Sequence, residues 1–66
     1  MKVTVNGEAK EYPDGTTLSG LLRELGLEKN PIAVEVNRQV VPKDRHDVTA
    51  LREGDRLEIV TLVGGG

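Results

Sequence analysis

One stretch of this chain carries a helical period, and the rest must be arranged around it. In "TLSGLLREL" the apolar residues Leu18, Leu21, Leu22 and Leu25 fall at i, i+3, i+4 and i+7, which places all four on one stripe of an α-helix. Thr17 is the natural N-cap. Gly26 suits the left-handed residue that stops a helix, with Leu27 placed to pack back in a Schellman-type closure. Gly20 inside the helix costs about 1 kcal/mol against alanine, which four leucines outweigh. A lone amphipathic helix must lay its stripe on something else, and the flanking segments read as strands.

Met1 to Val5 alternates, with Met1, Val3 and Val5 on one side and Lys2 and Thr4 on the other. "Asn6-Gly7" follows, a strong hairpin signal because both residues tolerate positive φ. The return strand, Glu8 to Tyr12, alternates poorly and leaves the register open, and "Pro13-Asp14-Gly15" ends it. After the helix, "Asn30-Pro31" opens a strand from Ile32 to Val36. "Asn37-Arg38-Gln39" turns into a short strand, Val40-Val41, which Pro42 ends. "KDRHDVTAL" reads as irregular, with room for one helical turn. "Glu53-Gly54-Asp55" is a turn, and Arg56 to Val63 is the last strand. The order ββαβββ around one helix predicts an α+β roll of the ubiquitin-like, or β-grasp, type: a mixed sheet of four to five strands packed on one helix. The expected division is a domain over residues 1–63 and a flexible glycine tail over 64–66.

At 66 residues the chain has room for one domain and one small core. A chain of this size buries only roughly 60% of its unfolded surface. No apolar run approaches the roughly 18 residues of a membrane span, and no export signal is visible, so a cytoplasmic protein is expected. The net charge is −2, with both signs interspersed, and Tyr12 is the one aromatic residue. That leaves neither a basic stripe for phosphates nor a stacking platform for bases, which argues against nucleic acid as a ligand. There is no cysteine, and His46 is the one histidine. Disulfides, cysteine-based zinc sites and thiol catalysis are thereby excluded.

The sequence offers no metal-ligand cluster and no nucleophile–base arrangement. His46 lies in the charged run Lys43-Asp44-Arg45-His46-Asp47, where a solvated loop or a hydrogen bond to a neighbouring Asp is the expectation. Arg38, Lys43, Arg45, Arg52 and Arg56 read as ordinary exposed charges that are also able to complement an acidic partner.

The chain ends on "TLVGGG". Gly64, Gly65 and Gly66 admit two readings. Terminal glycines order poorly and are often a frayed end. Alternatively, residues without Cβ pass through a narrow channel, and three of them reach roughly 10 Å when extended, enough to carry a carboxylate into another protein's active site. A carboxylate joined to AMP becomes an acyl donor. Were the cargo sulfur, this cysteine-free chain would carry it on Gly66 as a thiocarboxylate. The last strand adds a hint. Leu57 and Ile59 share one face, while Val60 and Leu62 take the other. One helix covers one face of a small sheet, so Val60 and Leu62 are candidates for an exposed partner-binding patch. The alternative is that they pack under the Asp44–Leu51 segment.

Taken together, "VTVNGE", "TLSGLLREL", "VEVNRQVVPKDRH" and "LREGDRLEIVTLVGGG" resemble the thiamine-biosynthesis sulfur carrier family commonly called ThiS, over essentially the whole chain. That resemblance implies a β-grasp carrier rather than an enzyme, with no cofactor of its own. A ThiF-type adenylating enzyme would use ATP and magnesium to activate Gly66. A cysteine desulfurase or sulfurtransferase would supply the sulfur, and thiazole synthase would consume it. Gly65 and Gly66 map onto the family's reactive pair, and Gly64 extends the reach. Two alternatives stand beside this reading. One is a sulfur carrier for molybdopterin synthesis or tRNA thiolation. The other is a ubiquitin-like modifier or binding module.

Overall fold

The computed structural model describes residues 1–62; the expected tail, Gly64, Gly65 and Gly66, and the last expected strand residue, Val63, lie outside the described residues. The elements are β1 (Lys2–Val5), β2 (Glu8–Glu11), α1 (Leu18–Glu24), β3 (Ile32–Val36), β4 (Gln39–Val40), a 3-10 helix (Lys43–Val48) and β5 (Arg56–Thr61). They form a five-stranded mixed sheet in the order β2-β1-β5-β3-β4. β1 runs parallel to β5, and the other pairs are antiparallel.

Local chemistry accounts for most of these boundaries. Asn6 and Gly7 both take positive φ (51° and 86°), which makes the two-residue hairpin that sets Val5 opposite Glu8. Thr17 accepts a hydrogen bond from the Gly20 N–H at 3.2 Å and caps α1. At the other end the Leu27 N–H bonds to the Leu22 carbonyl (2.8 Å) and the Gly26 N–H to that of Arg23 (3.0 Å), with Gly26 at φ 74°. That is the expected Schellman closure.

The leucine stripe lies on the sheet. Leu18, Leu21 and Leu22 pack with Val3 and Val5 of β1, Val34 of β3, Leu57 and Ile59 of β5, and Leu51, and all nine are buried. Leu25 lies half-buried at the edge of this core. The alternation expected in β1 and β5 is therefore present, with Leu57 and Ile59 facing α1.

Three details differ from the sequence reading. β4 begins at Gln39 rather than Val40, because Asn37 and Arg38 alone make the turn, both at positive φ (51° and 69°), and Gln39 already pairs with Val36. The segment after Pro42, read as irregular with room for one helical turn, forms a six-residue 3-10 helix. His46 is neither solvated nor bonded to a neighbouring Asp. It is 7% exposed, and its Nε2 lies 3.0 Å from the Val41 carbonyl oxygen. The 3-10 helix turns the ring inward while Lys43, Asp44, Arg45 and Asp47 stay exposed.

Candidate functional site

β5 is the last strand among the described residues, and it lies inside the sheet with neighbours on both sides. Its residues alternate strictly. Leu57 and Ile59 enter the core, while Arg56, Glu58 and Val60 point to the face that α1 does not cover. The register sets Val60 opposite Ala33 and Glu58 opposite Glu35 across the β3–β5 pair, and Glu35 opposite Val40 across the β3–β4 pair. Val60 is 57% exposed and Val40 69% exposed, so the helix-free face carries accessible apolar area beside its charges.

Glu58 and Glu35 are like charges set directly across two strands, an unfavourable juxtaposition unless something neutralises it. Among the described residues neither forms an ion pair within 4.0 Å. They border an open depression of about 640 Å³ with Asn37, Arg38 and Arg56. Arg38, Lys43, Arg45, Arg52 and Arg56 are all exposed, as expected.

Leu62 lies one residue past β5. It is 49% exposed, its N–H bonds to the Pro31 carbonyl at 2.7 Å, and it lines a cleft of about 110 Å³ with Leu22, Ile32 and His46. Val60 is not buried beneath the segment that follows β4. Leu62, expected on the same face as Val60, instead borders Leu22 of α1 and Lys43 and His46 of that segment, because the strand alternation ends at Thr61.

Two asparagines fasten β5. The Asn6 carboxamide accepts from the Ile59 N–H at 2.8 Å and donates to the Ile59 carbonyl at 3.1 Å. The Asn37 carboxamide accepts from the Arg56 N–H at 3.0 Å and donates to Asp55 Oδ1 at 2.9 Å. Sequence reasoning assigned both residues to turns and missed this second role, which depends on partners far away along the chain.

Among the described residues no group of three His, Cys, Asp or Glu side chains is placed to hold a metal ion. The Tyr12 hydroxyl titrates above its ordinary value of 10.0, first because burial disfavours the phenolate and then because it donates to Glu24 Oε1 at 3.1 Å. It sits on the rim of the sheet beyond β2, not at the end of β5. No helix among the described residues is long and apolar enough to cross a membrane.

Comparison with known proteins decides the family: the model of the ThiS family matches residues 3–66. The chain belongs to the ThiS family. The sulfur carrier protein ThiS of Bacillus subtilis (strain 168) is 36% identical over 63 residues, covering 94% of this chain and 96% of that one. The crystal structure of thiamine biosynthesis protein ThiS from Geobacter metallireducens matches with a TM-score of 0.85 and 29% identity, over 100% of both chains. The β-grasp roll expected from the element order is thus the fold of a ThiS relative. A thiazole synthase of Paramagnetospirillum magneticum is 42% identical over 66 residues, covering 100% of this chain. The chain spans only 20% of that protein's length, so what the larger ThiS-like relative does as a whole is a separate matter.

Proposed function

We propose that this chain is a sulfur carrier in the synthesis of the thiazole ring of thiamine, loaded on Gly66. The observation that carries the reading is the family match, which runs through the glycines to residue 66. In the proposed cycle a ThiF-type adenylating partner, using ATP and magnesium held on its own side, joins the Gly66 carboxylate to AMP and releases pyrophosphate. A sulfur nucleophile from a cysteine desulfurase or sulfurtransferase displaces AMP, which departs with one former carboxylate oxygen. If the sulfur arrives as a persulfide, two electrons from a thiol cleave the S–S bond and leave the thiocarboxylate. Thiazole synthase then takes the sulfur and regenerates the carboxylate. The carrier supplies no catalytic group to these steps.

The physical logic lies in the division of labour. A glycine tail has no side chain to obstruct attack on its carbonyl carbon or to block a narrow channel. The absence of cysteine leaves no competing thiol on the carrier. Val60 and Leu62, exposed where the chain leaves the sheet, offer the apolar area by which partners would hold the domain. A cycle that consumes ATP is consistent with the proposed cytoplasmic location. The 42% identity to a segment of thiazole synthase favours the thiamine pathway over molybdopterin synthesis or tRNA thiolation.

The test is the intact mass after incubation with ATP, a ThiF-type enzyme and a persulfide donor. A gain matching one oxygen replaced by sulfur, absent when Gly66 is deleted, is the expected result. An unchanged mass with partners proven active on another carrier would overturn the reading in favour of a binding module.

A further inference from the structure

β1 and β5 pair for only a short distance. Their main chains meet at Thr4 with Arg56 and at Val5 with Leu57, and the Asn6 N–H still reaches the Leu57 carbonyl at 2.9 Å. There β1 ends, because Asn6 adopts φ 51° and begins the hairpin turn. The parallel ladder nevertheless continues for one more rung. The Asn6 carboxamide presents an acceptor and a donor in one plane, as a peptide group does, and bonds both main-chain groups of Ile59 at 2.8 and 3.1 Å. On the opposite edge β3 pairs with β5 as far as Thr61, and the Leu62 N–H reaches Pro31. The stretch of β5 approaching the tail is therefore held from both edges only as far as the Asn6 side chain reaches.

The turn does not need this carboxamide. Asp or Gly followed by Gly also satisfies the positive φ that a two-residue hairpin demands. Asp would keep the acceptor for the Ile59 N–H but place a carboxylate against the Ile59 carbonyl, and Gly would offer nothing. The amide is required by β5 alone. Asn37 is an internal comparison, with the same φ of 51° and a side-chain bond to Arg56 at the opposite end of the same strand, away from the tail.

We propose that Asn6 is a positioning residue for the carrier function: its carboxamide holds Ile59 on the β1 side and so fixes the direction of β5 as far as Leu62. Two-stranded ribbons twist more than strands held on both sides. Without the Asn6 rung, β5 from Ile59 onward is a ribbon with β3 alone, and its end swings. This inference rests on the sulfur-carrier reading, since a direction matters only if the tail must enter a partner's site.

The experiment compares Asn6→Gly, Asn6→Asp and Asn37→Gly in the full chain, measuring ATP–pyrophosphate exchange by the adenylating partner with the carrier as varied substrate. Melting temperature and Ile59 amide exchange are followed alongside. Both Asn6 variants are expected to fold, and Asn6→Gly, which loses the acceptor that Asn6→Asp keeps, is expected to exchange the Ile59 N–H faster. Their kcat should fall about tenfold, with KM changed less than about twofold, as befits a lost hydrogen bond that orients the tail without touching the docking face. Asn37→Gly should lose comparable melting temperature while keeping kcat within about twofold. Equal kcat losses for the two glycine variants, or an unchanged kcat for Asn6→Gly, overturn the proposal and leave the carrier reading standing. If the wild-type chain itself is not activated by a partner active on another carrier, both fall together. Asn6→Asp, which retains the turn and one of the two bonds, decides the matter should Asn6→Gly fail to fold.

Discussion

The sharpest consequence of the β5 alternation is that Val60→Asp should weaken partner binding while leaving the domain folded. Val60 is 57% exposed, so less than half of its side chain is withdrawn from water. Full burial of such a side chain is worth about 1.5–3 kcal/mol, and the portion lost here is therefore about 1 kcal/mol or less. Replacing a β-branched residue with Asp adds a propensity cost of up to about 1 kcal/mol. Glu58, two residues back, and Glu35, diagonal across the pair with Ala33, add a few tenths by repulsion. The sum is about 1.5–2 kcal/mol, which lowers Tm by about 10 °C in a domain of this size. Small domains hold about 3–10 kcal/mol at this length, so the variant remains folded. At the centre of a desolvated interface the same change would cost more than about 2 kcal/mol, or more than about thirtyfold in Kd. Thermal melts paired with titration calorimetry against the adenylating partner and thiazole synthase separate the two effects. Leu57→Ala, on the buried face at 1% exposure, serves as the opposite control and should cost about 2–5 kcal/mol. A Kd within about threefold of wild type would remove Val60 from the interface. A Tm loss equal to that of Leu57→Ala would place it in the core, contrary to its exposure.

Leu21→Ala truncates a side chain with 0% exposure on the helix stripe, and the expected loss of about 2–5 kcal/mol consumes most of the margin of so short a chain. Urea titration should find the midpoint close to zero denaturant, and a midpoint within about 0.5 M of wild type would refute the single-core description. Tyr12 gives a pH dependence. Because its folded pKa is raised above the ordinary 10.0, its contribution is complete below that pH and is lost as pH rises through the folded value. Wild-type stability should therefore fall more steeply above pH 10.0 than that of Tyr12→Phe, and parallel pH profiles would remove the Glu24 bond from consideration.

Elements governed by their own residues were legible. The 3.6 period of the leucines, Gly26 after them and Asn6-Gly7 before them each state a local geometry, and each geometry is present. The exposure of Val60 was legible because strand alternation and a single helix together leave one face uncovered. His46 was not, because its neighbours are charged and the turn that buries it is a 3-10 helix without apolar periodicity. The second role of Asn6 was invisible for a different reason. Its partner lies 53 positions away along the chain, and no local rule joins a hairpin residue to the last strand.

Strand order was also beyond local rules, and it bears most directly on the proposed function. The last strand could have been added at an edge of the sheet, where one row of backbone groups stays unpaired and the strand end frays. Instead β5 inserts between β1 and β3, and Leu57 and Ile59 anchor it in the core. Its main chain is held by β3 through Thr61 and by β1 through Leu57, and Asn6 extends the β1 side to Ile59. A tail that must enter another protein's site needs a fixed origin, because every degree of freedom at its root is one that the partner must remove on binding. A central strand supplies that origin at no cost in tail length. Under the proposed function, Gly64, Gly65 and Gly66 then serve passage and attack rather than holding on.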